Sequence, residues 1–249
     1  MNRQERSKVN GLPALVFWIA VWYLAAMAMD NPLLLPTPVQ VLRCLGRLSV
    51  TAAFWQSVAV SIGRILLGVF CAVILGCILA VVTTSCRLLE VLIAPAMTAM
   101  QATPVASFTI LVLIWIDRDY VPVLICGMMV LPVVSNSVST GIRVTDPQLL
   151  ELAKVYRLSK FQTLRRIWIP SVMPFFRTTC LISVGLGWKA GIAAEVLTVP
   201  KHSIGRMIAD SKLYLMMEEL FASTLVVIAL SLLLQNLVLR LLNRRNGHA

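Results

Sequence analysis

The chain has 249 residues, of which 59% are apolar and only 13% charged, and its 22 Lys and Arg against 11 Asp and Glu give a net charge of +11. An ordinary soluble domain carries about a quarter charged residues, so this composition argues against a soluble enzyme and for a membrane protein. The basic excess does not read as a nucleic-acid surface, because long apolar runs leave no compact basic domain to carry one.

Runs of about twenty apolar residues cross a bilayer. Spans are predicted near 12–29, 57–84, 91–116, 121–142, 172–197 and 220–239. The fold class is therefore all-α: a polytopic membrane protein with six transmembrane helices, forming a single domain over residues 1–249.

Arg3, Arg6 and Lys8 ahead of an apolar stretch ending Ala26-Met27-Ala28 also have the form of a cleaved signal peptide. The run is longer than a typical signal core and no secreted domain follows it, so it is read as a retained helix. Pro32, Pro36 and Pro38 then predict an extended entry, followed by an amphipathic stretch from Val39 to Leu48 lying along the outer membrane surface. That stretch is either a solvated connector or a landing place for a partner.

In the second span Gly63, Gly68 and Gly76 predict close helix approach. Pro95 and Pro104 in the third span, and Pro122 and Pro132 in the fourth, predict bends, which are tolerated where freed carbonyls face protein or a water-filled path. Arg64, Lys189 and Glu195 fall within spans, and each costs about 2.5–3.5 kcal/mol at a helix centre on insertion scales. Such residues face a bundle interior or cavity, or snorkel to the interface, and these three are the candidates for a translocation pathway or gate. Lys189 and Glu195 are about 240° apart around a helix, so each is expected to find its partner on another helix.

With the N-terminus inside, Arg3, Arg6, Lys8, Arg87, Arg143, Lys154, Arg157, Lys160, Arg165, Arg166, Arg177, Arg240, Arg244 and Arg245 lie on the inner side. Arg43, Arg47, Arg118, Lys201, Arg206 and Lys212 lie outside, a bias of 14 to 6 that predicts both termini in the cytoplasm.

A polar island over 145–170 separates the fourth and fifth spans. Asp146 is a good N-cap and Pro147 a good first helical residue. Leu149, Leu152, Ala153 and Tyr156 then recur at helical spacing, one apolar stripe on a short helix. Ser159 with Gln162 has the form of a capping box opening a second short helix, whose stripe is Phe161, Leu164, Ile167 and Trp168 and which Pro170 is expected to stop. An amphipathic pair between spans is suited to hold a docked surface.

Glu151-Leu152-Ala153, a basic-rich turn and Ile169-Pro170 resemble the EAA loop of bacterial ABC-importer permeases, with Leu152 in place of the first Ala and Arg157 where Gly is usual. The segments Ser61-Ile62-Gly63-Arg64-Ile65-Leu66-Leu67-Gly68 and Trp188-Lys189-Ala190-Gly191-Ile192-Ala193-Ala194-Glu195 are similar to the nitrate/sulfonate/taurine branch of those permeases. The resemblance covers roughly residues 33 to 243. It implies the type I importer fold in a bacterial inner membrane, with Glu151, Leu152, Ala153, Tyr156 and Arg157 coupling to a separate ATP-binding cassette ATPase subunit. It further implies an extracytoplasmic substrate-binding protein, two permease subunits read as a homodimer, and a small organic anion such as a sulfonate, taurine or a nitrate-like solute as cargo. Any ATP belongs to the partner subunit, and the chain itself needs neither cofactor nor metal.

Other chemistry is sparse. The six cysteines show no Cys-x-x-Cys spacing, the two histidines are His202 and His248, and no phosphate-cradling Gly-rich loop is present. A secondary transporter or channel fits the composition equally well, but the capped polar island has a purpose only with an ATPase partner. An intramembrane enzyme would need a nucleophile–base constellation that the sequence does not supply.

Overall fold

In the computed structural model, which describes the backbone of residues 3–31 and 33–244, every regular element is helical. The order is α1 (Arg3–Met29), α2 (Pro38–Ser49), α3 (Ala52–Ser85), α4 (Arg87–Ala102), α5 (Val105–Val112), α6 (Val121–Arg143), α7 (Pro147–Val155), α8 (Lys160–Thr163), a π turn (Leu164–Trp168), α9 (Ile169–Thr198), α10 (Ile204–Leu213) and α11 (Met217–Arg244). The side chains of Arg3, Arg6, Lys8 and Arg244, together with Pro32, Arg245 and His248, lie outside the described residues.

Among the described residues four helical stretches are long and apolar enough to cross a membrane: Ala52–Ser85, Val121–Arg143, Lys160–Thr198 and Met217–Leu242. The stretch predicted as one span over 91–116 is instead two helices, α4 and α5, bent by 105°. The cause is local. Pro104 has no N–H to continue the ladder and forces Thr103 out of the helical region, to φ −75° and ψ 125°. Counting this pair as one broken span gives a fifth, and the apolar part of α1 described in full, Pro13–Met29, is shorter than the other spans.

The centre of the bundle is α3, α6 and α9. Lipid tails are as apolar as leucine, so such helices associate through close packing rather than hydrophobic exclusion. Small residues provide the contact: a Cβ added to Gly68 would sit 2.5 Å from the Val123 carbonyl oxygen, and one added to Gly191 would sit 2.6 Å from Cys126 Sγ. Gly63, expected to serve the same purpose, meets nothing within 4 Å. Around this contact Ile65, Val69, Val130, Val134 and Trp188 form one buried cluster, and the Trp188 indole donates to the Val227 carbonyl of α11 at 3.1 Å.

The amphipathic stretch after α1 becomes α2. A capping box between Thr37 and Gln40 starts it, and Val41 and Cys44 bury against Ala222 of α11. Arg47 and Glu218 close the contact at 3.1 Å. α2 is thereby clamped to the start of α11 rather than left as a free connector. α1 is tied in at this same end, where Trp22 donates to the Pro36 carbonyl at 3.2 Å and stacks on Phe221.

Candidate functional site

The connection between α6 and α9 is built from two short capped helices. The Asp146 carboxylate accepts from the Gln148 amide at 2.8 Å and starts α7. Ser159 and Gln162 exchange reciprocal hydrogen bonds of 2.9 and 3.3 Å and start α8. The turn between them is a Schellman motif, in which the Arg157 amide donates to Lys154 O at 3.0 Å and the Leu158 amide to Ala153 O at 2.9 Å.

That motif needs a left-handed residue after the cap, and Arg157 fills it with φ +50°. The departure from Gly therefore does not change the turn; it strains it. A left-handed L-residue costs roughly 1–2 kcal/mol, of which Gly would return part to unfolded-chain entropy. Arg157→Gly is expected to tighten this turn by under about 1 kcal/mol, seen as slower hydrogen exchange of the Leu158 amide. Unchanged or faster exchange would show that the strain is absent.

The predicted stripe of α7 divides. Only Ala153 is buried, whereas Leu149 and Leu152 are exposed, Val155 is 78% exposed and Tyr156 71% exposed. Glu151 is also exposed, on the same short helix. In the second half Ile167 turns into the bundle and Phe161 stays out at 69%. Pro170 does not stop the helix as expected. The π turn before it widens the coil, with Ile169 N–H donating to Leu164 O, and so relieves the clash that a proline ring makes with the preceding turn. Chain from Lys160 to Thr198 thus runs on as one helical stretch.

At the opposite end of the bundle, two buried polar side chains, Ser61 and Glu195, meet the partly buried Arg64. Glu195 of α9 is 0% exposed. Its Oε2 accepts from Ser61 Oγ at 2.7 Å and from the Gly205 amide at 3.2 Å, while Oε1 lies 3.9 Å from Arg64 Nη1. Arg64 Nη2 donates to Asp119 at 3.0 Å and to the Lys201 carbonyl at 3.0 Å. Ser61 Oγ also accepts from the Ile204 amide at 2.9 Å, so one hydroxyl links α3 to the first residue of α10. Val199, the residue that turns the chain out of α9, adopts φ +49°, a costly conformation for a β-branched side chain.

The structure therefore brings Arg64 and Glu195 together and leaves Lys189 apart. Lys189 is exposed on α9 and forms no ion pair among the described residues. Ser61 and Asp119 belong to this network but were not singled out in the sequence. Ser61 stood within the quoted Ser61-to-Gly68 segment, whereas nothing local marked Asp119 in its loop.

A family profile described as binding-protein-dependent transport system inner membrane component matches residues 72–247. The chain is similar to the taurine transport system permease protein TauC of Escherichia coli (strain K12), at 25% identity over 98% of this chain and 90% of that one. It is similar to a relative from Bacillus subtilis (strain 168) named for aliphatic sulfonate transport, SsuC, at 25% identity over 94% of this chain and 84% of that one. It is also similar to the bicarbonate transport system permease protein CmpB of Synechococcus elongatus, at 26% identity over 74% of this chain and 66% of that one. Among solved structures, an amino acid ABC transporter with histidines shares the fold, with a TM-score of 0.61 and 14% identity over 82% of this chain and 98% of that one.

Proposed function

The chain belongs to the binding-protein-dependent transport system inner membrane components, and on that premise we propose that it is the permease of an importer for a small organic anion, preferably a sulfonate such as taurine. It works with a separate ATP-binding cassette ATPase, which binds the ATP, and with an extracytoplasmic substrate-binding protein. Two copies form a homodimer around the solute path, both termini lie in the cytoplasm, and α7 is the coupling helix. The single observation that carries this reading is α7 itself: a helix capped at both ends, with Glu151, Leu152, Val155 and Tyr156 turned outward. A stripe of that kind has no use in water except as one side of an interface.

Anion preference is supported by charge. Among the cations within the spans, Arg64 is engaged by Asp119 and Glu195. Lys189, exposed on α9, forms no ion pair among the described residues, so its charge is available to a passing anion. Nitrate and bicarbonate share that sign, and the relatives named for taurine and sulfonates favour the sulfonate.

Uptake by cells expressing the permease with its ATPase and binding protein tests the assignment. Taurine or an alkanesulfonate should enter in an ATP-dependent manner, and Lys189→Gln should lower that uptake about tenfold, the loss of one charge-assisted contact worth ~1.5 kcal/mol. Transport confined to neutral or cationic solutes would overturn the anion reading. Full anion uptake by the Lys189→Gln chain would remove that residue's part in it.

A further inference from the structure

α4 packs against both α3 and α6, yet none of its residues is fully buried. Between the three helices lies a cleft of about 290 Å³. Its walls are polar in the middle of apolar helices: Gln101 on α4 and Ser135, Asn136 and Ser139 on α6 all border it. The Thr83 and Thr98 hydroxyls there are occupied by carbonyls of their own helices. Gln101, Asn136 and Ser139 have no side-chain hydrogen bond among the described residues, so their polar groups point into the cleft unspent. Polar groups at membrane depth are costly unless they face protein or water, and here they converge on one space.

The cleft has a defined length. Gln101 stands in the last turn of α4, just before the break at Thr103 and Pro104. At the other end Arg143 Nη2 meets Glu90 Oε1 at 2.6 Å, joining the start of α4 to the end of α6. Arg143 is the last residue of α6, and only Val144, Thr145 and the cap Asp146 separate it from α7. A larger groove of about 610 Å³ between α3, α6 and α9 is walled by Val81, Ile142, Trp168 and Phe176. Its chemistry suits an acyl chain and would penalise a charged solute.

We propose that the polar cleft between α3, α4 and α6 lines the cytoplasmic half of the solute route between the two copies. Gln101, Asn136 and Ser139 hydrogen-bond the oxyanion end of the cargo as it passes, and the Glu90–Arg143 pair closes the inner mouth. Uncharged donors suit passage, because they replace water around an anion without holding it as a fixed ion pair would. Displacement of α7 by the ATPase pulls directly on Arg143, parts it from Glu90 and leaves its guanidinium facing the departing anion. This inference rests on the importer reading above for its direction and cargo.

Cysteine accessibility tests the cleft independently of the cargo. In a chain with the exposed Cys71 and Cys86 replaced by Ser, Ser139→Cys is compared with Leu233→Cys, a control at an exposed apolar position of α11 outside the cleft. The assembled complex in inside-out vesicles is treated with the membrane-impermeant anion sulfonatoethyl methanethiosulfonate. Ser139→Cys should react at least about tenfold faster than Leu233→Cys, and Glu90→Gln should raise its rate further without nucleotide. Equal slow reaction of the two cysteines overturns the proposal, as does a Glu90→Gln chain whose Ser139→Cys rate is unchanged. In parallel, Asn136→Leu should cut uptake of a sulfonate strongly while the complex still assembles and hydrolyses ATP, and undiminished uptake overturns that residue's contact. If the unaltered complex carries no anion but Ser139→Cys still reacts fast, the cargo assignment fails while the cleft stands as the route.

Discussion

A chain carrying Glu151→Ala and Tyr156→Ala together will lose coupled uptake, either by failing to hold its ATPase or by letting ATP hydrolysis run without transport. The expectation comes from exposure and chemistry. Tyr156 is 71% exposed and Leu152 53% exposed on a helix whose one buried side chain is Ala153. A tyrosine inserted into a partner pocket is the kind of anchor whose removal costs ~2 kcal/mol or more. That alone is about thirtyfold in affinity, before the charged or polar contact of Glu151 is lost. Copurification of the ATPase and its stimulation by loaded binding protein measure the two modes of failure separately. Unaltered uptake and stimulation in a stably expressed double variant would remove α7 from the coupling role.

The second large effect belongs to the other end of the bundle. Arg64→Met should sharply reduce the amount of folded protein, because it leaves the fully enclosed Glu195 carboxyl without its cation. Breaking one partner of a buried pair costs ~3–5 kcal/mol, a large part of the stability of any domain. Adding Glu195→Gln to the same chain should restore much of the loss, since an uncharged carboxamide can still accept from Ser61 Oγ and the Gly205 amide. Thermal inactivation of the purified protein in detergent, compared across the two single variants and the double, gives the coupling between the positions. Equal inactivation temperatures for Arg64→Met and the unaltered chain would mean that the pair adds nothing to stability.

Local rules carried a good part of the fold. The caps at Asp146 and Ser159 and the short helices that they open were readable, because a side chain closing on the next turn involves only neighbouring residues. The amphipathic α2 was readable for the same reason, though not its clamp to α11, which joins Arg47 to Glu218 across the chain. Two prolines behaved in opposite ways for reasons that span more than one turn. Pro104 breaks the third span, whereas Pro170 is absorbed by a π turn whose extra residue no periodicity announced. The charged residues were found by type, but their company was not. Arg64, Asp119 and Glu195 come from separate elements, and only the packing of α3 on α9 brings them within reach. Asn136 and Ser139 could have been noticed as a polar-rich run, Ser135-Asn136-Ser137-Val138-Ser139, inside an apolar helix; their convergence with Gln101 could not.

The close contact of α3, α6 and α9 has a mechanical consequence. With Gly68 set directly against the Val123 carbonyl, and Gly191 against Cys126 and Ile65, these helices have no slack in which to slide or swivel. The trio is a stiff beam, and compliance is left to the places where the ladder is interrupted: the kink at Thr103 and Pro104, and the three-residue link from α6 to α7. Motion that passes the link into α6 therefore arrives at the far end as rotation of the whole beam, with little of it lost to bending within the trio. Stiffening either joint should slow the cycle while leaving the beam, and the protein's stability, as they were.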